Sequence, residues 1–355
     1  MRKTSFIVER EKPGPDEFME YLKKHNVKFK EFSKIEGEHD GSSPKSFVLL
    51  DDSVSKKEMI STTRTMRDSR YMTHLYDEIH NNPDTSLVTY LNDAIKNGVF
   101  PRYISCLAKN CIFDKVKRTT VDDGRNASEV IGSRIAEMLR VPTVYTIGIP
   151  AIDGSIGSVL SVDFLQYGET FEDVLELSGN KAMVEAGDTV EAWKNAIKKA
   201  LKKKYPFGID KESWEQLENR DLPHMLLYRK GGLFKDADCY TYNVGVVFKG
   251  RKFKLAPSFD MECLLTSMKC SPEYYSVDKG AMRDVVSYSA KHCPDILEDF
   301  IDRVNKNMAN GNIPAVIESL YPNTKARRNI LENLRTTVVR LNMESNKYLD
   351  RGNER

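Results

Sequence analysis

The rhythm of hydrophobic and polar positions changes twice along the chain. Through residue 100 it is mixed: Ser5–Arg10 and Ser46–Asp51 read as strands, Asp16–His25 as a short helix, and Lys56–His80 as a longer helical stretch. Leu87, Tyr90, Leu91 and Ala94 fall on one face of a further helix over Ser86–Lys96. From 101 to 165 alternation dominates. Tyr103–Ala108 and Cys111–Lys117 read as two strands joined at Lys109-Asn110, a good hairpin dipeptide. Thr143–Ile149 and Gly157–Val162 form a second strand pair around Asp153-Gly154, and between the pairs Val130, Ile131, Ile135, Met138 and Leu139 make the buried stripe of a helix. Beyond 166 the pattern is helical over Phe171–Leu177, Val190–Lys203, Trp214–Tyr228, Asp284–Ala290, Pro294–Met308, Pro314–Tyr321 and Lys325–Leu349. Breaks fall at Asn310-Gly-Asn and Tyr321-Pro-Asn, and the polar tail 350–355 reads as frayed. One interruption stands out: Val244–Phe248 and Lys252–Pro257 are strand-like and joined by Lys249-Gly250-Arg251, a hairpin in helical surroundings.

Composition narrows the class. A chain of 355 residues with 40% hydrophobic and 30% charged residues suits two or three packed units with a soluble surface. A net charge of +2 argues against a polyanion as the main partner, so nucleic acid is not expected. No apolar run reaches the roughly 18 residues that span a bilayer, and the N-terminal segment lacks the apolar core of a signal peptide. The cysteines at 106, 111, 239, 263, 270 and 293 make no C-x-x-C pair, which points to free thiols in a reducing cytoplasm. The basic run Lys198–Tyr205 reads as a solvated helix end, where lysines meet the negative end of the helix dipole. Arg64, Arg67 and Arg70 likewise read as a solvated helix edge.

The hairpin carries the candidate chemistry. Asp238 lies five residues before Asn243, and the returning strand brings Asp260 back beside them. One carboxylate near an accepting hydroxyl, with an Asn and an Asp to hold magnesium, is what phosphoryl transfer from a nucleotide requires. Asp and Asn are also common turn residues, so spacing alone leaves an ordinary acidic loop open. Asn126 and Glu129 have capping-box spacing, which by itself explains a Glu at that place. Phe113, Lys115 and Lys117 share one strand face; Arg118-Thr119 suggests that the strand is ending, which favours Lys115 over Lys117.

Asp238-Cys-Tyr-Thr-Tyr-Asn243 followed by Leu255-Ala-Pro-Ser-Phe-Asp260 resembles the catalytic and metal-binding loops of HipA-like protein kinases. The second motif is the more specific, and the likeness spans roughly residues 101 to 300. It implies an α+β, bilobal protein-kinase-like fold: a small β-rich lobe over 101–165, a large helical lobe over 166–355, and an accessory α+β segment over 1–100. It implies ATP and Mg²⁺ as cofactors. Asp238 would accept the proton of a protein Ser or Thr hydroxyl, and Asn243 and Asp260 would hold the metal. Lys115 or Lys117, paired with Glu129, would meet the phosphates, and backbone groups of Asp163, Phe164 and Leu165 would meet the adenine edge. Asp236 would replace Asp238 only in a shifted register, but it lies seven residues from Asn243, not five. No G-x-G-x-x-G loop is present, and the family commonly lacks one.

Ala237 and Tyr240 depart from the family, which usually has Gly or Asn before the first Asp and often His two residues after it. A pseudokinase that binds nucleotide without turnover therefore stays open. So does a phosphatidylinositol-kinase-like enzyme with a lipid or small-molecule acceptor, although no basic amphipathic membrane face is evident. A nucleic-acid-binding regulator built on residues 1–100 is a third alternative. The expected partners are a protein substrate and a regulatory protein.

Overall fold

The computed structural model describes residues 45–51, 103–110, 112–114, 119–121, 124–144, 146–150, 156–162, 164, 169–179, 187, 189–321 and 323–349. The elements expected over 5–10, 16–25, 56–80 and 86–96, the arginines 64, 67 and 70, and the tail lie outside these residues. Two compact units emerge: residues 1–130 with 144–169, and residues 131–143 with 170–355.

In the first unit, β1 (Lys45–Asp51), β2 (Tyr103–Asn110), β5 (Thr146–Pro150) and β6 (Ile156–Val162) form an antiparallel sheet in the order β1-β2-β6-β5. β3 (Ile112–Asp114) and β4 (Thr119–Val121) pair with each other. The hairpin expected at Lys109-Asn110 is therefore corrected. Both residues stay in strand β2, opposite Val159 and Ser158, and β2 is flanked by β1 and β6 instead. Alternation identifies strands but does not choose their partners, and here the distant pairings won.

α1 (Arg125–Met138) contributes its residues up to Val130 to this unit. Asn126 lies inside the helix, not at its cap. Its side-chain amide donates to the Ile156 carbonyl at 3.2 Å, and Glu129 accepts from the Ser161 hydroxyl at 3.2 Å. The capping-box reading fails because both polar side chains face the β5–β6 pair. A Cβ on Gly148 would lie 3.0 Å from Ile156 and 3.3 Å from Val130, so helix and hairpin approach closely there.

The second unit is mainly helical. α2 (Val174–Ser178), α3 (Val190–Lys204), α4 (Lys211–Gln216) and α5 (Leu222–Arg229) precede the hairpin, with a π-helical turn over Leu217–Asp221. α6 (Lys279–His292), α7 (Pro294–Ala309), α8 (Asn312–Leu320) and α9 (Thr324–Leu349) follow it. Their buried faces supply Trp193, Ile197, Leu226, Val286, Phe300, Ile313 and Leu334 to one core, each worth roughly 1.5–3 kcal/mol of burial. Among the described residues no helix is long and apolar enough to cross a membrane.

β7 (Thr170–Asp173), β8 (Gly245–Lys249) and β9 (Lys252–Leu255) make a three-stranded antiparallel sheet. The β8–β9 hairpin matches the sequence reading, with Gly250 at φ +62° in the turn. The helix expected over Phe171–Leu177 begins only at Val174. Thr170–Asp173 is a strand because it pairs with β8, and the Phe171 ring meets Phe259 edge-on at 5.5 Å. Asp173 then caps α2, accepting from the Glu176 amide at 2.6 Å. The basic run is the exposed helix end that the sequence reading expects: Lys199, Lys202, Lys203 and Lys204 are all exposed, while Lys198 stands over the Trp214 ring, Lys203 donates to the Ser178 carbonyl, and Lys204 pairs with Glu172.

Candidate active site

The site is built backwards from the end of α5. Gly231 and Gly232 let the chain double back, so that the amides of Leu233, Phe234 and Asp236 bond the carbonyls of Leu227, Tyr228 and Arg229 at 2.7–3.0 Å. A side chain on Gly232 would strike the Leu227 backbone, so only glycine fits this approach. Tyr228, fully buried, anchors α5 to α1 by donating to the Gly132 carbonyl at 2.5 Å.

Arg229 is the centre of the arrangement. It is 1% exposed, and all five of its N–H donors have acceptors. Nε and Nη2 donate to Asp236 Oδ2 at 2.8 and 2.5 Å. Nη1 donates to the carbonyls of Asn243 and Phe259, each at 3.1 Å, and Nη2 also reaches the Asp260 carbonyl at 3.4 Å. One buried cation thus ties together the loop carrying Asp236 and Asp238, the start of β8, and the segment after β9. Burial pushes the Asp236 carboxyl up, and the guanidinium against it opposes that push. Burial works against the charged form of Arg229 too, but the groups around it, Asp236 foremost and Asp260 among them, together offset that and hold the guanidinium charged.

Asp238 and Asn243 are locked to each other. Asn243 is buried and donates its side-chain amide to the Asp238 carbonyl at 2.8 Å, leaving its amide oxygen available as a ligand. The Asp238 amide donates to Asp236 Oδ1 at 3.1 Å. Its own carboxylate is half-buried, and Oδ1 accepts a short hydrogen bond from the Tyr242 hydroxyl. Tyr240 stacks on Tyr242 with ring centres 5.6 Å apart, and Lys230 lies over the Tyr240 ring. Burial, then the hydrogen bond and charge of Asp238, push the Tyr242 phenol well up, so it stays protonated and donates.

The segment after β9 is positioned from the other side. Ala256 continues the ladder to Gly245, the Ser258 amide donates to the Pro142 carbonyl, and the Thr143 hydroxyl donates to the Ser258 carbonyl. Asp260 follows in the left-handed region at φ +53°. Only Arg140 shares this conformation among the described non-glycine residues; Asp tolerates it better than most. Asp238, Glu262 and Cys263 bring ligand atoms within 4.8 Å of one another. Burial pushes the Cys263 and Cys239 thiols up to about 11, so both are neutral near pH 7. That leaves the carboxylates of Asp238 and Glu262, hard oxygen ligands that suit a cation such as Mg²⁺.

Asp238 is tied to Asn243 by a hydrogen bond, and the backbone carbonyls of Asn243 and Asp260 both meet Arg229. Glu129 lies in the other unit, buried and bonded to Ser161. Lys115, Lys117, Asp163 and Leu165 lie outside the described residues; Phe164 is described and half-buried. Sequence reasoning missed Arg229, Tyr242, Glu262 and Cys263. Arg229 had one readable signal, an Arg at the end of an apolar helix just before the acidic loop.

No family model matches the sequence, and no curated protein matches it. Solved structures do. The crystal structure of a Helicobacter pylori proinflammatory kinase, CtkA, is similar over 91% of this chain and 98% of that chain, with a TM-score of 0.51 at 11% identity. The fold is shared with a kinase. A Shewanella oneidensis toxin–antitoxin complex of HipA, HipB and operator DNA is similar over 69% of this chain and 58% of that chain, with a TM-score of 0.39 at 10% identity. That second likeness is too distant in shape to add to the first.

Proposed function

We propose that this chain is a HipA-like, bilobal kinase that transfers the γ-phosphoryl group of MgATP to a Ser or Thr hydroxyl of a protein. The observation that carries the reading is the knot around Arg229, which holds the Asp238–Asn243 loop and the Phe259–Asp260 segment in one fixed relation. Positioning and electrostatic stabilisation are most of what a phosphotransferase contributes. Bound MgATP would supply the transferable group and the charge-neutralising metal. Asn243 through its amide oxygen and Asp260 through its carboxylate would hold the metal, with Glu262 beside them. Asp238 would orient the acceptor hydroxyl and take its proton on Oδ2, which carries no hydrogen bond among the described residues. Lys115 or Lys117, held by Glu129, would meet the phosphates, and the 163–165 segment the adenine. A cytoplasmic location follows from the same reading.

A second reading, nucleotide binding without turnover, is favoured by the Tyr242 hydroxyl on Asp238 Oδ1, where it competes with an acceptor. Incubation with γ-labelled ATP and Mg²⁺ separates the two. The kinase reading expects label on the chain or on a substrate protein, abolished in a folded Asp238→Asn variant. Tyr242→Phe removes one hydrogen bond to a charged group, about 1.5–3 kcal/mol, and should accelerate transfer by opening Oδ1 as a second oxygen for the acceptor hydroxyl. Binding of ATP without transfer in both the parent and Tyr242→Phe would establish the second reading, and absence of binding would remove both.

A further inference from the structure

Between α6 and α9 lies a groove of 660 Å³, entirely within the second unit and formed by elements other than those of the candidate active site. Lys279 and Arg283 line it from α6; Arg335, Arg340 and Lys347 line it from α9. Glu344 is the one carboxylate in the lining, and it is already met by Arg283 at 3.7 Å and Lys347 at 2.5 Å. Among the described residues no carboxylate lies within ion-pair distance of Lys279, Arg335 or Arg340. With five cations to one carboxylate, the groove carries a net positive charge.

The same groove exposes apolar surface. Val339 is 59% and Met343 63% exposed, two of only four large hydrophobic side chains so exposed among the described residues. They fall four apart on α9, with Thr336 and Arg340 completing a stripe at helical spacing. This stripe is separate from the one that α9 buries through Ile330, Leu334, Val338 and Leu341. From Arg335 to Lys347 the groove runs about 18 Å along α9, the length of three to four helical turns.

We propose that this groove docks an acidic amphipathic helix of a partner protein. The apolar stripe of such a helix would cover Val339 and Met343, and its carboxylates would meet Lys279, Arg335 and Arg340, the helix-in-groove mode of recognition. Charge decides among occupants. A second copy of this chain, joined by the same patch on each partner, would oppose like charges. A nucleic acid would use the cations but leave the apolar stripe uncovered. A vesicle surface would meet one short recessed stripe that lacks the large aromatic anchors of interfacial helices. The proposal stands independently of the phosphotransferase reading.

The test uses the full chain and a fluorescent synthetic peptide of about four helical turns, with leucines at i, i+3, i+4 and i+7 and glutamates elsewhere. Saturable binding that weakens with salt is expected, with a shift of the Met343 methyl resonance in methyl-labelled protein. Arg335→Glu with Arg340→Glu, and separately Met343→Glu, should each weaken it about tenfold or more. These positions are surface ones, and an unchanged melting transition confirms that the variants fold. Equal binding of a peptide with the same composition but scrambled apolar spacing overturns the proposal. So does duplex DNA or a phosphatidylserine vesicle that binds Met343→Glu as well as the parent and displaces the peptide. No saturable binding, or binding with an unmoved Met343 resonance, overturns it too.

Discussion

Arg229→Met is the sharpest probe of how the candidate site is held. It keeps an unbranched apolar stem but removes a guanidinium whose five donors are all engaged. Asp236, with no exposed surface, is left as a buried charge without its partner, and breaking such a pair costs about 3–5 kcal/mol. Three carbonyls also lose a donor, at about 1 kcal/mol each before water or relaxation recovers part. Against a typical total of about 5–15 kcal/mol, this is a large share. Urea denaturation measures the loss, and amide exchange over 236–243 and 256–262 locates it.

A double variant separates the buried charge from the lost hydrogen bonds. Arg229→Met with Asp236→Leu removes both partners, so it should recover about 2–4 kcal/mol relative to Arg229→Met alone. The single variant should also turn pH-dependent in a defined direction. Burial pushes Asp236 up, and without the guanidinium only the hydrogen bond from the Asp238 amide opposes it. The folded state then keeps a proton that the unfolded state releases near pH 4. Above that pH the folded state binds more protons than the unfolded one, so stability falls as pH rises, and the variant is least harmed in acid. A single variant with the parental midpoint, or a double variant no more stable than the single one, refutes the buried-knot argument.

Two further predictions follow from single groups. Asp260→Gly relieves a left-handed backbone at φ +53° and should leave stability equal or slightly higher while removing the Mg²⁺ dependence of ATP binding; a clear loss of thermal stability would show that the carboxylate is structural. Burial pushes the His224 imidazole from 6.5 down to about 4, so between those values the unfolded state binds the extra proton and stability drops as pH falls, by on the order of 3 kcal/mol for this group. His224→Leu should flatten that slope, and a variant curve parallel to the parent's from pH 6.5 to 4 would refute it.

What the sequence made legible follows from the range of the interactions involved. The helices after residue 279 have strong apolar periodicity and clear punctuation, so α7, α8 and α9 lie where the pattern places them, while α6 (Lys279–His292) extends beyond the expected Asp284–Ala290 at both ends. The β8–β9 hairpin is equally local, its turn set by Gly250. Misreadings arise where a distant partner decides. Thr170–Asp173 is a strand because β8, some seventy residues on, pairs with it, and β2 ignores its neighbour for β1 and β6. Asn126 and Glu129 have the spacing of a cap, yet Ile156 and Ser161 claim them.

The two acids of the loop show the same division within the site itself. Asp236 and Asp238 are the same residue type, two positions apart, and spacing to Asn243 is the sole sequence reason to prefer the second. The fold separates them by a residue that precedes both. Arg229, at the end of α5, takes Asp236 Oδ2 with two donors, and the Asp238 amide takes Oδ1, so Asp236 has both oxygens engaged and no exposed surface. Asp238 is half-buried, with one oxygen on Tyr242 and the other without a hydrogen bond among the described residues. An acceptor hydroxyl has to reach a carboxylate oxygen at hydrogen-bond distance before proton transfer matters. Within the proposed reaction only Asp238 meets that condition. Asp236 instead supplies the countercharge that keeps Arg229 buried, and Arg229 keeps Asp238, Asn243 and Asp260 in register.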